Sequence, residues 1–376
     1  MVSFSSIPST LRVPFVAAEF DASKAQQGPA LLAYRGLIIG QKIAAGSAAA
    51  NSLTRVSSAD QVVALSGRGS QLHRMAKKWF ANNKSTEVYI GVLEDAAAGV
   101  AATGTLTVTG PATAAGTLSL YIAGERVQVA VASGDTAAAI ATAIAAAITA
   151  ATDLPVTAVA GTEASAHIVT LTAKNKGEAG NAIDVRFNFQ DGESTPAGVA
   201  VAIVAMANGA TNPTLTSLIA AMGDQWFNVI AHPYTDATSL SAIEAELASR
   251  FGPLRMIDGV AFTSAAGTQG TLSTLGDTRN SQHSSILAQP GKSPLTPPCE
   301  FAAAYAAVVA YHGAIDPARP LQTIEILDVV APAEADLFTM QERNLLLYDG
   351  IGTSRVVGSA VQIERPITTY KSNAAG

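Results

Sequence analysis

Cysteine is nearly absent: Cys299 is the single one. One thiol cannot close an intrachain disulfide or build a thiolate metal site, and it fits a reducing compartment. Its setting, Pro297-Pro298-Cys299-Glu300-Phe301, is apolar, which reads as a small buried hydrophobe rather than a nucleophile. Charge is scarce too. Charged residues make up 14%, the net charge is −6, and no Lys/Arg-rich run occurs. Phosphate backbones are held by clustered cations, so this composition argues against direct nucleic-acid binding. The start, Met1 to Pro8, lacks a cationic stretch followed by an apolar one, so no signal peptide is read there. The longest low-polarity stretch, Thr136 to Thr152, is mainly Ala with Ile and Thr. It is too short and too weakly apolar for a membrane span, so we expect a soluble chain made in a cytoplasm.

Motifs for chemistry are missing as well. No Gly-x-Gly-x-x-Gly follows a strand and no Walker A sequence occurs. Gly67-Arg68-Gly69-Ser70 reads as a turn plus a helix N-cap. His73, His167, His232, His283 and His312 are scattered without ligand-pair spacing, so neither a metal nor a cofactor is expected. Asp224, His232 and Ser284 lie near strand ends and could meet as a hydrolytic triad. No Gly-x-Ser-x-Gly elbow accompanies them, so no catalytic residue is assigned. Asp316-Pro317-Ala318-Arg319-Pro320 reads as a turn locked by two prolines.

What is present is a long, apolar chain. Its 376 residues, 48% hydrophobic, can bury a sizeable core in two or more domains. Residues 1–22 read as an N-terminal arm with scattered apolar residues from Phe4 to Phe15. Residues 23–95 read as the first part of an α/β core. Gly36–Gly40 and Glu87–Leu93 are buried strands, Ser58 caps one helix, and Leu72, Met75, Ala76 and Trp79 line another over Ser70–Asn82. Residues 96–209 turn to Thr/Val alternation between glycine turns, as in runs 105–109, 118–122, 127–131, 167–172 and 183–189. One helix, capped by Asp135 or Ser133, carries Ile140, Ile144 and Ile148. Eight acidic residues against four basic ones leave this stretch at −4, which suits an outward-facing module.

Residues 210–365 return to α/β rhythm. Helices are expected over 215–222, 235–251 (cap Thr235 or Asp236), 272–276, 300–313 (started by Pro297 or Pro298) and 334–349. Strands are expected over 226–231, 259–262 and 284–288, and a β pair over 355–357 and 361–364. The fold class is therefore an α/β core, a mainly parallel sheet flanked by helices, with an inserted small β-rich domain carrying one helix.

Several short strings stand in order along the whole chain: Ser3-Phe4-Ser5-Ser6-Ile7-Pro8 with Arg12-Val13-Pro14, Gly67–Ser70, Gly124-Glu125-Arg126-Val127 leading to Ser133-Gly134-Asp135-Thr136, and Lys176-Gly177-Glu178-Ala179-Gly180-Asn181. Asp316–Pro320, Gln341-Glu342-Arg343 and Glu364-Arg365-Pro366-Ile367-Thr368-Thr369-Tyr370 complete the set. Together they resemble the tail sheath subunit of Mu-like contractile-tailed bacteriophages, a family with a subtilisin-like-fold core and no protease activity. The resemblance implies a protruding insertion and a structural subunit of a virion tail, assembled in the host cytoplasm. It also implies contraction that drives a tube through the cell envelope for genome ejection. The implied partners are other sheath subunits in a helical homo-oligomer, a tail tube protein, and baseplate and tail terminator proteins. Such subunits run on past Tyr370 into a C-terminal domain. Residues 366–376 are thus expected to be only its start, and a form ending at Gly376 to associate weakly. Alternatives are the sheath of a tailocin or secretion apparatus, or a hydrolase on the same core.

Overall fold

The structure is a computed structural model and describes residues 33–373. The arm expected over residues 1–22 lies outside them. The first strand, β1 (Arg35–Gln41), is buried on both faces, as a continuous apolar run demands at the centre of a parallel sheet. Leu37 and Ile39 face one apolar cluster with Leu218, Phe227 and Leu247. Ile38 faces another with Trp79, Phe301 and Tyr305. Gly36 must lack a side chain, because a Cβ there would come within 2.5 Å of the Trp79 ring. A short strand β2 (Leu53–Val56), which the sequence reading did not foresee, leads into α1 (Ala59–Ser66), capped by Ser58. After α2 (Gln71–Asn82) comes β3 (Glu87–Leu93).

The Thr/Val stretch holds β4 (Ala101–Thr109), β5 (Gly116–Ile122), β6 (Glu125–Val131), α3 (Ala137–Ala150), β7 (Val156–Ala160), β8 (Ile168–Lys176), β9 (Val185–Phe187) and β10 (Ala200–Ala207). These strands form a four-stranded sheet, β10-β4-β8-β7, and a three-stranded sheet, β6-β5-β9. Their inner faces share one apolar cluster, into which α3 inserts Ile140, Ile144 and Ile148. The cap of α3 is neither Asp135 nor Ser133. Thr136 Oγ1 accepts from Ala139 N at 3.2 Å, while the Asp135 carboxylate is taken by Ala132 N in the preceding turn. Strand β9 is shorter than the alternation over 183–189 suggested, because only Val185–Phe187 pair in register with β5.

The chain then returns to the first sheet through α4 (Thr216–Met222), β11 (Val229–Ala231), α5 (Ala237–Phe251), β12 (Val260–Ala265), α6 (Gln269–Asp277) and β13 (Ser284–Ala288). Its strand order is β13-β12-β11-β1-β3-β2. All neighbours are parallel except β2, which pairs antiparallel with β3 at the edge. β11 starts later than 226, since Trp226 Nε1 is drawn to Asp258 and the Asn228 side chain accepts from Arg35 N. α7 (Pro298–Ile315) follows, with Pro298 in its first turn. Helix α8 (Met340–Tyr348) begins at a capping box of Thr339 and Glu342, so residues 334–339 precede it and are not part of it. Antiparallel β14 (Thr353–Val357) and β15 (Ala360–Arg365) end the ordered elements. Among the described residues, no helix is long and apolar enough to cross a membrane.

Candidate functional site: the charged seam

Polar chemistry concentrates where the β-rich stretch meets the parallel sheet's helices. Helix α2 supplies the centre. Gly67 and Gly69 take the left-handed conformation, with φ of 86° and 76°, and turn the chain so that Ser70 can cap it. A Cβ at Gly69 would lie 2.5 Å from Leu154 O, so glycine also permits the close approach of the loop after α3. Arg68 Nη1 grips Asp153 of that loop at 2.7 Å.

Arg74, six residues after Arg68, is buried at 2% exposure and uses its whole fork. Nε donates to Glu300 Oε1 in the first turn of α7. Nη1 donates to Glu125 Oε1 at 3.1 Å and Asp153 O at 3.0 Å, and Nη2 to Ala123 O at 3.3 Å. One guanidinium thus joins α2, α7, the β5–β6 turn and the loop after α3. Lys77 Nζ adds a bond to Glu125 at 2.9 Å. Lys78 Nζ donates to Asp328 O at 2.6 Å and stands 3.8 Å from Glu300 Oε2.

A second line of bonds runs parallel to the first. Gln41 Nε2 donates to Asp95 Oδ1 at 2.7 Å and Lys176 O at 2.8 Å. Asn175 Oδ1 accepts from Gln71 N at 2.8 Å, and its Nδ2 reaches Lys42 O at 2.8 Å. Arg186, held bidentately by Asp184, donates to Ser293 O at 3.1 Å.

The electrostatics follow from burial and neighbours. Burial pushes the Glu125 carboxyl up, but Arg74 and Lys77 outweigh it and hold it below the usual range. Burial lowers His73 to about 4, with Asp153 opposing; its Nδ1 accepts from Gly69 N at 3.0 Å. Burial, aided by the Glu300 charge, raises the Cys299 thiol to about 12, so it stays protonated and weakly nucleophilic. Cys299 itself is half-buried. The seam's ion pairs and hydrogen bonds join α2, α7 and the β-rich stretch.

The triad candidates do not come together. Asp224 precedes β11, is 78% exposed at its side chain and pairs with Arg255 at 2.9 Å. His232 follows β11 at the other end of that strand and is fully buried, which lowers it to about 4. Ser284 aligns with Ala261, and Ala261 with Ile230, two strands away from β11 and two residues short of His232. Strand spacing and rise put the two on the order of 10 Å apart. Ser284→Ala should therefore leave ester and peptide turnover at the solution background. A rate that disappears on this substitution would contradict that placement. Gly67–Ser70, read as a turn plus cap, is that turn.

Arg74, Glu300 and Glu125 escaped the sequence reading. Charged residues on a helix normally mark its solvated face, and Arg74 lies in a helix buried nearly all round. Glu300 looks like an ordinary first-turn acid favoured by the helix dipole.

Residues 97–202 match the phage tail sheath protein beta-sandwich domain, and residues 208–369 the phage tail sheath protein central domain. The Mu-like prophage FluMu tail sheath protein of Haemophilus influenzae is 44% identical over 377 residues, covering 100% of this chain and 76% of that relative. Among solved structures, a sheath tail protein from Desulfitobacterium hafniense is 15% identical at a TM-score of 0.47, covering 96% of this chain and 76% of that one. The contracted helical sheath of the anti-feeding prophage is 12% identical at a TM-score of 0.40, covering 94% and 68%. The chain belongs to the phage tail sheath family. Within it, the chain is of the Mu-like type, a structural protein of contractile tails.

Proposed function

We propose that this chain polymerises as helical rings around a tail tube, in an extended metastable state, and shortens on a baseplate signal to drive the tube through a host envelope. The observation that carries this is the 44% identity to a Mu-like tail sheath protein over the whole chain. The free energy is stored in the difference between two packings of the same subunits, so no cofactor is required and no catalytic residue is assigned. Residues 96–209 act as an outward module attached to the α/β core of residues 23–95, of which 33–95 are described, and 210–365. The charged seam supports rigid-body motion, because a module bonded to two core helices transmits displacement without swinging free. Partners are sheath neighbours, the tube, the baseplate and the tail terminator, with no direct contact to nucleic acid and no membrane insertion. Assembly takes place in the host cytoplasm and the product is part of the virion.

Electron microscopy of the full-length protein with its tail tube tests this. Hollow cylinders of stacked subunits, with the mass of residues 96–209 on the outer surface, are expected. Dispersed particles at every concentration, with or without the tube, would overturn it.

A further inference from the structure

We propose that the β-rich stretch carries an assembly surface on which β10 of one copy adds edge to edge to β7 of the next, continuing the four-stranded sheet from subunit to subunit. This rests on the reading of the chain as a polymerising subunit and names one contact within the polymer.

In the sheet β10-β4-β8-β7, the two outer strands pair on one side only. The phase of the ladder bonds fixes which backbone groups are left over. Gly161 N donates to Ile168 O and Lys174 N to Pro155 O, so Thr157 and Val159 bond to β8. Ala158 and Ala160, both half-buried, therefore turn their N–H and C=O groups away from the sheet, while Val156 in the same phase is buried. Val108 N donates to His167 O, so Leu106 and Val108 bond to β8, and Thr105, Thr107 and Thr109 bond to Val204, Ala202 and Ala200. Val201 and Ile203, also half-buried, are left facing outward on β10.

Exposed edges are normally blunted by charge, proline or an early bulge. Here Leu154–Thr162 and Ser194–Gly223 hold no charged residue, and neither strand contains proline. The one register shift in β10 comes after Val204 and leaves Ala200–Val204 regular. Val159 and Val204, 67% and 61% exposed, add apolar surface beside these edges.

The occupant that fits is a second copy. Every neighbour in this sheet is antiparallel, and the number of strands is even, so β7 and β10 run in opposite directions. A copy set alongside by translation thus presents β10 antiparallel to β7. The pleat agrees as well. Ala158, Ala160, Val201 and Ile203 all pack toward the same inner apolar cluster, and residues opposite each other across a pair share a face. The contact uses a different edge on each copy, so it builds an open array and not a closed pair. So short a strand pair buries far less than the roughly 1,200 Å² of a stable interface, so it forms where the polymer already sets copies side by side. Pairing Ala158 with Ile203 and Ala160 with Val201 places Val159 opposite Ala202 on the outer face.

Amide hydrogen exchange on the full-length protein, dispersed and assembled as cylinders, tests this. Exchange at Ala158, Ala160, Val201 and Ile203 should slow by roughly tenfold or more on assembly, as for any amide that gains a ladder partner. Cylinders with these amides unprotected, or with only one edge protected, overturn the proposal and leave the assembly reading standing. Protein that forms no cylinders overturns both. Val159→Lys with Ala202→Lys sets like charges opposite each other across the contact, at two sites that are exposed within each copy, and should abolish the protection. Val159→Lys with Ala202→Glu sets opposite charges there and should keep it. Equal protection in both double variants would show that something other than a second copy's edge lies against these strands.

Discussion

Replacing Arg74 by alanine should destabilise the protein by about 3–5 kcal/mol, the usual cost of stripping one partner from a buried ion pair. The loss is large because of what remains. Glu300, at 1% exposure, is left without the guanidinium it bonds. The carbonyls of Ala123 and Asp153 lose their donors at the same time. Lys78 cannot take over, since its Nζ is 3.8 Å away and already bonded to Asp328 O. Arg74→Lys should recover little, because a single ammonium cannot span four acceptors at fixed fork geometry. Replacing Arg74 and Glu300 together by methionine should recover much of the loss, as apolar pairs often substitute for buried ions without penalty. Urea unfolding is the measurement, read as a shift in midpoint at constant slope. A loss below about 1 kcal/mol in Arg74→Ala, well under the range for a buried pair, would show that the seam does not hold the two sheet systems together.

Acid should weaken the fold well above the carboxylate range, with a decline that starts near pH 6.5 and continues to about 4. Burial lowers both His73 and His232 from 6.5 to about 4 in the folded chain. Above 6.5 neither state binds these protons, and the stability is complete. Between 6.5 and 4 the unfolded chain takes up protons that the folded one refuses, so stability rises with pH across this window and is lost as pH falls through it. Each histidine accounts for about 3 kcal/mol at full effect, an order-of-magnitude figure from the size of the shift. Glu125 and Asp153, whose carboxyls are held low by seam cations against the effect of burial, extend the loss further downward. Melting temperatures from pH 7.5 to 4 in His232→Leu should show a smaller decline than wild type, because one refusing site is gone while His73 remains and burial also lowers His283 and His312. An undiminished slope in both His232→Leu and a matching His73 variant would remove histidine burial as the cause.

Much of this architecture follows from local chemistry alone. Gly36–Gly40 and Glu87–Leu93 are continuous apolar runs, and only strands buried on both faces accommodate them. Ser58, Ser70 and Asp236 cap helices because a short polar side chain reaches the amide three residues on whatever the surroundings. The Thr/Val alternation of 105–109 and 127–131 has period two, which fits half-buried strands of a sandwich. Family likeness was legible for the same reason: it lies in ordered strings such as Gly67–Ser70, whose turn geometry is local.

What needed the tertiary structure was every feature that depends on residues far apart in sequence. Arg74 finds Glu300 across 226 positions and Glu125 across 51, and nothing in the run Leu72–Trp79 distinguishes it from a solvated arginine. The cap of α3 went to Thr136, because Asp135 was drawn into the turn by Ala132 N. Strand β11 is shorter than expected, with the Trp226 ring bonded to Asp258 and the Asn228 side chain accepting from Arg35 N. Asp224, His232 and Ser284, plausible together on paper, were separated by their places at opposite ends of β11 and on a strand two places away. Periodicity and capping act within one or two turns of chain, so a sequence declares them. A buried charge, a strand's true end or a cluster of side chains is settled by competition among distant partners for the same donors and the same space, and only the packed molecule decides that competition.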